Sequence, residues 1–550
     1  MAGGVRNFDI IIVGAGSAGC VLAHRLSADP QRRVLLLEAG GSHKQFHMTM
    51  PLAFLRAMFN LDLMWNYYSE PEPMLDGRKV WLPRGRVLGG SSSVNGMFYM
   101  RGHSTDFDGW AAAGCPGWSY ADVLPYFRRM EASWRGANAW HGASGPLSVR
   151  AIDTRRLLHE PLMQSAVAAG FATSADLHAE LEEGFARGEV TIDARGRRAS
   201  TARAYLDPVR GRPNLTVVTG ALVERVLIEN GRAVGVQYRL NGAVERAQAA
   251  AEVVLAGGAY NSPQLLLLSG IGNADDLKAH GIQTLVHAPG VGANLSEHAR
   301  LPVEFALSKP VSFLNELRAD RVLRSTARWF LLGDGAFATQ INSCNIVIRT
   351  DENQSRPDVQ LMCNPVRMDA KIWWPLLGPQ QQHRITADVV VLHPESRGSV
   401  RLRSANPADP PCIQLNLFTR PADIATVKRG LAAARRIYAT RPQADLIAGE
   451  TAPGPGVVSD AEIEEYIRRA AAVTQHPVGT CRMGSDDLAV VDPELRVRGV
   501  AGLRVADASI MPTVPGGNTN AAAIMVGEKA ADLILGTRLP AENPRARTHA

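Results

Sequence analysis

Residues 9–19 read DIIIVGAGSAG, and this stretch decides the fold of the N-terminal part of the chain. The apolar, β-branched start predicts a buried strand, the glycines predict a tight turn, and the residues that follow predict a helix. A second apolar run at 34–37 ends in Glu38, which lies 19 residues after Gly19. The pattern predicts a βαβ unit that holds the pyrophosphate of a dinucleotide on the helix N-terminus, with Glu38 on the ribose hydroxyls.

Each glycine of the motif has a separate physical reason. Gly14 permits the tight turn, Gly16 lets the backbone approach a pyrophosphate, and Gly19 lets the helix pack closely on the strand. The motif fits NAD and FAD equally well. A glycine turn with a purely structural role is the remaining alternative.

Composition bounds the class of protein. The chain has 550 residues, of which 46% are hydrophobic and 20% are charged, so it is expected to form two or more soluble globular domains. The net charge of +6 is spread over scattered Lys and Arg, which argues against nucleic-acid binding. Six widely spaced cysteines without a CxxC pair predict neither a zinc site nor a disulfide framework. With no signal-like or membrane-spanning segment in the sequence, we expect a cytoplasmic protein and leave peripheral membrane contact open.

Residues 83–96, PRGRVLGGSSSVNG, form a second unusual stretch. Adjacent glycines and three serines supply many small groups and backbone N–H donors, which suits close approach to a flat or phosphate-bearing ligand. The alternative is a flexible loop, but the ordered, apolar flanks argue against it.

Further elements follow from local patterns. The Asn230-Gly231 pair predicts a hairpin between two strands, and the run at 252–255, followed by glycines and a helix, is expected to join the first sheet. Ile424 to Tyr438 carry the apolar face of a long helix, and Ser459 with Glu462 forms a capping box.

Two late stretches carry candidate chemistry. Residues 476–484 read HPVGTCRMG, and residues 507–520 contain DASIMP and GGNTN. A histidine held by a proline and a turn of small residues can act as a base near neutral pH. A structural histidine is the alternative when His476 is considered by itself.

Over nearly its whole length the sequence resembles the glucose–methanol–choline (GMC) flavin oxidoreductases. The motifs that carry the resemblance stand in family order and spacing: GAGSAG at 14–19 with Glu38, GRVLGGSSSVNGM at 85–97, GAYNSPQLLLLSGIG at 258–272, PGVGANLSEH at 289–298, HPESRGSVRL at 393–402, HPVGTCRMG at 476–484, and DASIMP with GGNTN at 507–520.

The resemblance implies an α/β protein, α+β overall, with FAD rather than NAD at the first site. A Rossmann-like FAD-binding domain is expected over residues 1–300, completed by 476–540, with 131–194 as a possible cap or linker. A substrate-binding domain built on an antiparallel sheet is expected over 301–475. A frayed tail is expected at 541–550.

The resemblance also assigns site residues. His476 matches the catalytic histidine and Asn518 its partner, which is His or Asn in the family. The expected cofactor-binding residues are Gly14, Gly16, Ser17, Ala18, Gly19, Glu38, Ala39, Val87, Gly90, Ser91, Asn95, Gly96, Met97, Phe98, Val223, Asp507, Ala508, Asn518 and Thr519. No metal is expected.

The activity implied is oxidation of a primary alcohol to an aldehyde by hydride transfer to flavin N5. His476 would take the hydroxyl proton, Asn518 would orient the substrate, and electrons would pass to a quinone-type acceptor. An oxidase that uses O₂ is the first alternative, and a non-catalytic flavin-binding protein is a more remote one.

Two departures from the family pattern refine this expectation. Val94 stands where some members carry the histidine that binds FAD covalently, so non-covalent FAD is expected. Gln475 replaces the tyrosine that tends to precede the catalytic histidine in choline-oxidising members, which removes one aromatic wall for a quaternary ammonium group. The candidates for the pocket wall are Trp65, Phe98, Trp329, Trp373 and Trp374, and packing in the core is the alternative for any one of them.

Overall fold

A computed structural model of the protein describes residues 6–179, 181–375 and 381–544. Its strands are Arg6–Val13 (β1), Val34–Glu38 (β2), Met64–Tyr68 (β3), Trp81–Gly85 (β4), Glu131–Ser133 (β5), Leu147–Ala151 (β6), Gly184–Arg187 (β7), Glu189–Val190 (β8), Leu215–Thr219 (β9), Ala221–Glu229 (β10), Arg232–Leu240 (β11), Ala243–Leu255 (β12), Ile271–Gly272 (β13), Val286–His287 (β14), Ala299–Leu307 (β15), Cys344–Ile348 (β16), Val359–Asn364 (β17), Arg384–Val391 (β18), Ser399–Arg401 (β19), Cys412–Gln414 (β20), Ile447–Ala452 (β21), Ala472–Val473 (β22) and Leu503–Val505 (β23). Its α-helices are Ser17–Leu26 (α1), Phe46–Thr49 (α2), Phe54–Met58 (α3), Ser104–Ala112 (α4), Tyr120–Met130 (α5), His159–Ala168 (α6), Gly258–Leu268 (α7), Ala274–Ala279 (α8), Ala319–Leu332 (α9), Pro421–Tyr438 (α10), Asp460–Ala470 (α11) and Thr519–Leu535 (α12).

The first large sheet is built around β1. Its strand order is β10-β11-β12-β1-β2-β9, with β23 paired to β12. β1 runs parallel to β2 and to β12, while β10, β11 and β12 form an antiparallel meander. The predicted hairpin at Asn230-Gly231 and the predicted joining of residues 252–255 to the first sheet are therefore confirmed.

Helix α12 closes this half of the molecule by packing on α1. A Cβ on Gly527 would lie 2.9 Å from the backbone oxygen of Ala18, so the glycine allows the two helices to cross closely. Near their N-termini the Ser17 hydroxyl donates to Asn520 Oδ1 at 2.8 Å. The start of α12, with Asn518 just before it, is thus held beside the glycine turn, although the two segments lie about 500 residues apart in the chain.

The second large sheet has the order β21-β15-β18-β17-β16-β7, with β22 paired to β15, and its pairings are antiparallel. Helix α10 packs on it, because Gly430 lets the helix approach Val359 and Val389. The expected combination of a Rossmann-like domain and an antiparallel sheet is confirmed, as are the helix of residues 421–438 and the capping box at Ser459.

Two chain segments add detail to the expected division into domains. Within residues 131–194, β5, β6 and β8 pair with one another, whereas β7 joins the second large sheet through β16. In the tail, the Glu542 N–H donates to the backbone oxygen of Ala121 at 2.9 Å, so the chain is anchored there. Residues 545–550 of the expected frayed tail lie outside the described residues.

Candidate functional site

A cavity of about 620 Å³ runs from the glycine turn after β1 to His476. One end is formed by residues 13–18 with Glu38, and we call it the glycine end. The other end includes His476 and Asn518, and we call it the histidine end. Met362 of β17 also lines the cavity, so both large sheets contribute to its wall.

The glycine end is closed by a carboxylate that the backbone holds. Glu38 Oε2 accepts the Ala15 N–H at 2.9 Å, and Oε1 accepts the Gly40 N–H at 2.8 Å. Burial raises the pKa of Glu38 to about 7, against the opposing effect of these two backbone donors. The side chain is therefore fixed at the carboxyl end of β2, where a ribose is expected.

The glycines at this end are required by close backbone contacts. Gly14 has φ +100°, and a Cβ there would lie 2.5 Å from the Ala256 oxygen. A Cβ on Gly90 would lie 2.8 Å from Gly16 Cα, so the glycine–serine loop packs directly against the glycine turn. Gly16 caps α1 without a side-chain hydrogen bond, which leaves the first N–H groups of the helix for a ligand.

Most of the residues assigned from the sequence line this cavity. Gly19 and Val87 do not, since both are packing residues. A Cβ on Gly19 would lie 1.9 Å from the Gly14 oxygen, and Val87 is buried in a separate apolar cluster. Those that line the cavity are Gly14, Gly16, Ser17, Ala18, Glu38, Ala39, Gly90, Ser91, Asn95, Gly96, Met97, Phe98, Val223, His476, Asp507, Ala508, Asn518 and Thr519.

At the histidine end, His476 is bound on both ring nitrogens and at its backbone. Its Nδ1 lies 2.9 Å from His298 Nδ1 and 2.8 Å from Thr474 Oγ1. The backbone N–H of His476 donates to Glu297 Oε1 at 2.6 Å. The antiparallel pairing of Ala299 with Val473 sets this geometry, because it places the residues just before β15 beside those just after β22.

Asn518 completes the histidine end. It stands at the N-cap of α12 but makes no capping bond, because its Nδ2 lies 3.2 Å from His476 Nε2. Among the described residues, the buried Asn518 Oδ1 has no hydrogen-bond partner. A buried polar atom without a partner is costly, so this oxygen is well placed to meet a ligand group.

The charges around His476 are unusual. Burial lowers the pKa of His476 well below its ordinary value, and His298 and the positive charge of Arg84 lower it further. Burial also raises the pKa of Glu297 to about 8, although Arg84 opposes that rise. The imidazole is therefore held neutral, which is the form that can accept a proton.

Sequence reasoning did not assign roles to several residues of the histidine end. Glu297 and His298 end the quoted motif at 289–298, so their titratable side chains were a signal that could have been used. Neither Thr474 nor Arg84 stands out in the sequence: Thr474 lies two positions before His476, and Arg84 of β4 reaches this end through its hydrogen bond to Gln475. Of the aromatic candidates, Trp65 and Phe98 line the cavity.

The other three aromatic candidates for the pocket wall are wrong. The buried Trp329 donates its indole N–H to the Gly196 oxygen at 2.6 Å, and Trp373 donates to the Leu314 oxygen at 3.0 Å. Trp374 is 61% exposed. Packing in the apolar cluster around α9 explains the positions of Trp329 and Trp373, whereas Trp374 lies at the surface.

These features define a class of protein: a flavoprotein oxidoreductase in which a dinucleotide fold is joined to an antiparallel substrate sheet. The residues present fit FAD, since the cavity joins an open helix N-terminus and a ribose-side carboxylate to a neutral histidine and an unpartnered amide oxygen. The chain belongs to the GMC oxidoreductase family, whose N-terminal model matches residues 8–300 and whose C-terminal model matches residues 394–527.

Curated relatives agree with this placement. The chain is 42% identical to "Choline dehydrogenase, mitochondrial" of Mus musculus over 542 residues, which cover 97% of this chain and 90% of the relative. It is also 42% identical to "Oxygen-dependent choline dehydrogenase" of Rhizobium etli over 550 residues, covering 98% of each.

Solved structures agree as well. Pyridoxine 4-oxidase from Mesorbium loti superposes with a TM-score of 0.87 at 31% identity, covering 97% of this chain and 100% of that one. A formate oxidase of Aspergillus oryzae superposes with a TM-score of 0.90 at 27% identity, covering 96% and 98%. The protein is thus an FAD-dependent oxidoreductase that acts on alcohol donors.

Two kinds of feature are absent from the described residues. None of their helices has both the length and the apolar character needed to cross a membrane. They also contain no group of three or more His, Cys, Asp or Glu side chains arranged to hold a metal ion.

Proposed function

We propose that the protein oxidises a primary alcohol to an aldehyde and that His476 accepts the hydroxyl proton. The observation that carries this proposal is the 3.2 Å contact between Asn518 Nδ2 and His476 Nε2 in a buried cavity. The neutral imidazole of His476 and the amide of Asn518 are therefore adjacent at the cavity. The imidazole can take a proton from an alcohol, and the amide can hydrogen-bond the developing alkoxide. When bound, FAD supplies the hydride acceptor at flavin N5.

The cofactor roles in this proposal follow the lining of the cavity. Gly14, Gly16 and Glu38 hold the adenosine diphosphate part, Gly19 supports the turn by packing, and Val223 provides a backbone contact to the adenine. Val94 also lines the cavity, and valine has no nucleophilic atom with which to attach a flavin. FAD is therefore proposed to be non-covalent, so acid precipitation should leave a colourless pellet, and a yellow pellet would contradict the proposal.

We further propose that the favoured alcohol is uncharged. Three carboxylates line the cavity, and each already has partners: Glu38 holds two backbone N–H groups, Asp507 accepts from Gly258 and Ser262, and Asp409 accepts from Ser404 and Asn406. A cationic substrate would need an unpaired anion or a free aromatic face to replace its hydration.

Trp65, an aromatic side chain of the wall, does not offer such a face freely. The Arg86 guanidinium lies 4.7 Å from the centre of the Trp65 ring, and Trp65 stacks on Tyr67. Arg84 adds a second positive charge, and its Nη2 donates to Gln475 Oε1 at 3.3 Å, beside His476. A quaternary ammonium group would therefore meet repulsion from two arginines.

Choline is the second candidate substrate, because the two curated relatives described above are choline dehydrogenases. Choline and 3,3-dimethylbutan-1-ol have the same shape and differ in the charge of the quaternary centre. We expect kcat/KM for the uncharged alcohol to exceed that for choline by at least about 10-fold, as expected for about 1.4 kcal/mol of charge repulsion. A preference for choline would identify choline oxidation as the function and would contradict the uncharged class.

The proposal is tested by anaerobic bleaching of the bound flavin with aliphatic, aromatic and amino alcohols. His476→Ala should bind FAD like the parent but lose about 10³-fold in the rate of flavin reduction, because the proton acceptor is gone. Near-parent reduction by the variant would contradict the role of His476. A protein that no alcohol reduces would instead fit the non-catalytic flavin-binding alternative.

The acceptor and the location are part of the proposal. We propose a quinone-type acceptor, with O₂ as the alternative, and a cytoplasmic protein, in line with six cysteines that are all free thiols. Re-oxidation of the reduced protein by a quinone dye and by O₂ in the same cuvette compares the two acceptors. Faster re-oxidation by O₂ would favour the oxidase.

A further inference from the structure

His298 is a buried histidine next to His476 for which the proposed reaction has no direct use. Its Nε2 lies 2.9 Å from the backbone oxygen of Leu392. A carbonyl oxygen can only accept, so Nε2 must carry a proton. Burial lowers the pKa of His298 to about 3, and the nearby His393 adds to this effect, so the ring is neutral and its Nδ1 is a bare lone pair.

That lone pair faces Nδ1 of His476 at 2.9 Å. Two bare nitrogens at this distance would repel each other, so His476 Nδ1 carries the hydrogen and donates it. The Thr474 hydroxyl is compatible with this arrangement: its oxygen lies 2.8 Å from the same Nδ1, and its own hydrogen points to the His298 backbone oxygen at 3.4 Å.

We propose that His298 is a positioning residue that holds the proton of neutral His476 on Nδ1 and so keeps Nε2 unprotonated at the cavity. The Leu392 carbonyl fixes the tautomer of His298, and His298 then fixes the tautomer of His476. The inference rests on the proposed function in one respect, namely that Nε2 of His476 is the atom that takes the alcohol proton.

The Asn518 amide agrees with this assignment. With Nε2 of His476 bare, Asn518 Nδ2 donates to it at 3.2 Å, and Asn518 Oδ1 is left for a ligand hydroxyl. The opposite tautomer would place an N–H of His476 against the amide N–H groups, which forces either repulsion or an amide flip.

The same geometry excludes a proton wire through His298. A proton passed from His476 to His298 Nδ1 would require Nε2 of His298 to release its own proton to the Leu392 carbonyl, which is not a base. The alcohol proton must therefore leave through the cavity, and His298 orients the base without conducting protons. The titratable or charged groups that face His476 are His298, Glu297 and Arg84.

The first test reads the tautomer directly in the oxidised, substrate-free holoenzyme. The protein is labelled with ¹⁵N-histidine, and the His476 signals are assigned by their absence in His476→Asn. We expect a protonated Nδ1 and a bare Nε2. A protonated Nε2 in the parent protein would overturn the proposal without any change at residue 298.

The second test separates the two hydrogen bonds of His298. His298→Gln keeps a donor for the Leu392 oxygen but offers no imidazole lone pair to His476. We expect His476 to gain the Nε2–H form, and flavin reduction to fall about 100-fold while FAD content is kept.

His298→Asp provides an acceptor only. We expect it to keep Nδ1–H on His476, to stay within about 10-fold of the parent rate, and to move the acid limb of the pH–rate profile to higher pH, because a carboxylate stabilises the imidazolium. The proposal would be overturned if His298→Gln kept the His476 tautomer of the parent. It would also be overturned if the Gln and Asp variants had the same rate and the same pH profile.

A matched control carries the same substitution elsewhere. His159 also pairs through one ring nitrogen with a backbone oxygen, that of Ser343 at 2.8 Å, and does not line the cavity. His159→Gln should leave both the His476 spectrum and the reduction rate unchanged. A flavin that no alcohol bleaches would count against the proposed function alone, since the tautomer is measured without substrate.

Discussion

The glycine end and the histidine end of the cavity differ in how their polar atoms are satisfied. At the glycine end both oxygens of Glu38 accept backbone N–H groups. At the histidine end the side-chain atoms Asn518 Oδ1, Glu297 Oε2 and Tyr260 OH are buried and have no hydrogen-bond partner among the described residues. An end where the side chain is fixed and the open donors are backbone N–H groups of α1 suits binding of a cofactor, whereas an end with open side-chain atoms suits reacting groups that arrive and leave.

This contrast predicts that the two ends can be damaged separately. A change at the glycine end should alter FAD occupancy but not the chemistry of the molecules that retain FAD. A change at the histidine end should alter the rate of flavin reduction but not FAD occupancy. A variant that lowers both FAD occupancy and the rate of flavin reduction would contradict this separation of the two ends.

The largest effect is expected for Gly14→Ala. The new Cβ would lie 2.5 Å from the Ala256 backbone oxygen, and φ at this position is +100°. We expect nearly complete loss of bound FAD and a loss of about 2 kcal/mol or more in stability, because neither the backbone oxygen nor the turn can move freely. The ratio of flavin absorbance to protein absorbance after gel filtration measures the occupancy.

Gly41→Ala is the control for this variant. A Cβ on Gly41 meets nothing within 4 Å, and the residue follows β2, the strand that ends in Glu38. It should purify with the FAD content of the parent. Equal FAD loss in both variants would show that any added methyl group in this region is harmful. It would then contradict the explanation of the Gly14→Ala effect by close contact with Ala256.

A smaller effect is expected for Asn518→Ala at the other end. The variant loses the amide that donates to His476 Nε2 and the oxygen that faces the cavity, while the imidazole base stays. We expect flavin reduction to slow about 10- to 100-fold, as for the loss of one donor to a developing alkoxide, with FAD content unchanged. Stopped-flow reduction under anaerobic conditions measures the rate, and loss of FAD instead would contradict the assignment.

A still smaller effect is expected for Glu38→Gln. The amide has one acceptor oxygen, so one of the two backbone donors, Ala15 N–H or Gly40 N–H, would face an NH₂ group. We expect the dissociation constant of FAD to rise about 10-fold, the equivalent of one lost hydrogen bond. Titration of apoprotein with FAD measures it, and the holoenzyme should still be reduced at the parent rate.

The two ends also differ in how well the sequence alone could predict them. Gly14, Gly19 and Glu38 lie within 25 consecutive positions, and their spacing carries the geometry of one βαβ unit. His298, His476 and Asn518 span 220 positions, and the pairing of β15 with β22 and the packing of α12 on α1 bring them together. No local pattern encodes such contacts, so His476 and Asn518 were assigned through family resemblance.

The wrong and the missing predictions from the sequence also arise from contacts that the local sequence does not encode. Large aromatic side chains favour pocket walls, which makes Trp329, Trp373 and Trp374 candidates, but Trp329 and Trp373 pack in the apolar cluster around α9 and Trp374 is mostly exposed. His298 ends the family motif at 289–298, but the motif by itself does not indicate a role for this residue. Its importance lies in a contact with His476, 178 positions away, that depends on strand register.

The last prediction concerns protein stability, not FAD binding or flavin reduction, and it depends on the charge of Glu297 and on pH. Burial raises the pKa of Glu297 to about 8 in the folded protein, above its ordinary value of 4.5. Between these values the folded state holds a proton that the unfolded state releases, so the contribution of Glu297 to stability falls as pH rises from about 4.5 to 8. Glu297→Gln does not titrate, and its amide oxygen can still accept from the backbone N–H groups of His298 and His476. We expect the holoenzyme variant to become more stable relative to the parent by roughly 3 kcal/mol between pH 5 and pH 8, because only the parent loses the contribution of Glu297. Melting temperatures measured across this range test the prediction, and a constant difference between variant and parent would show that Glu297 titrates alike in the folded and unfolded states.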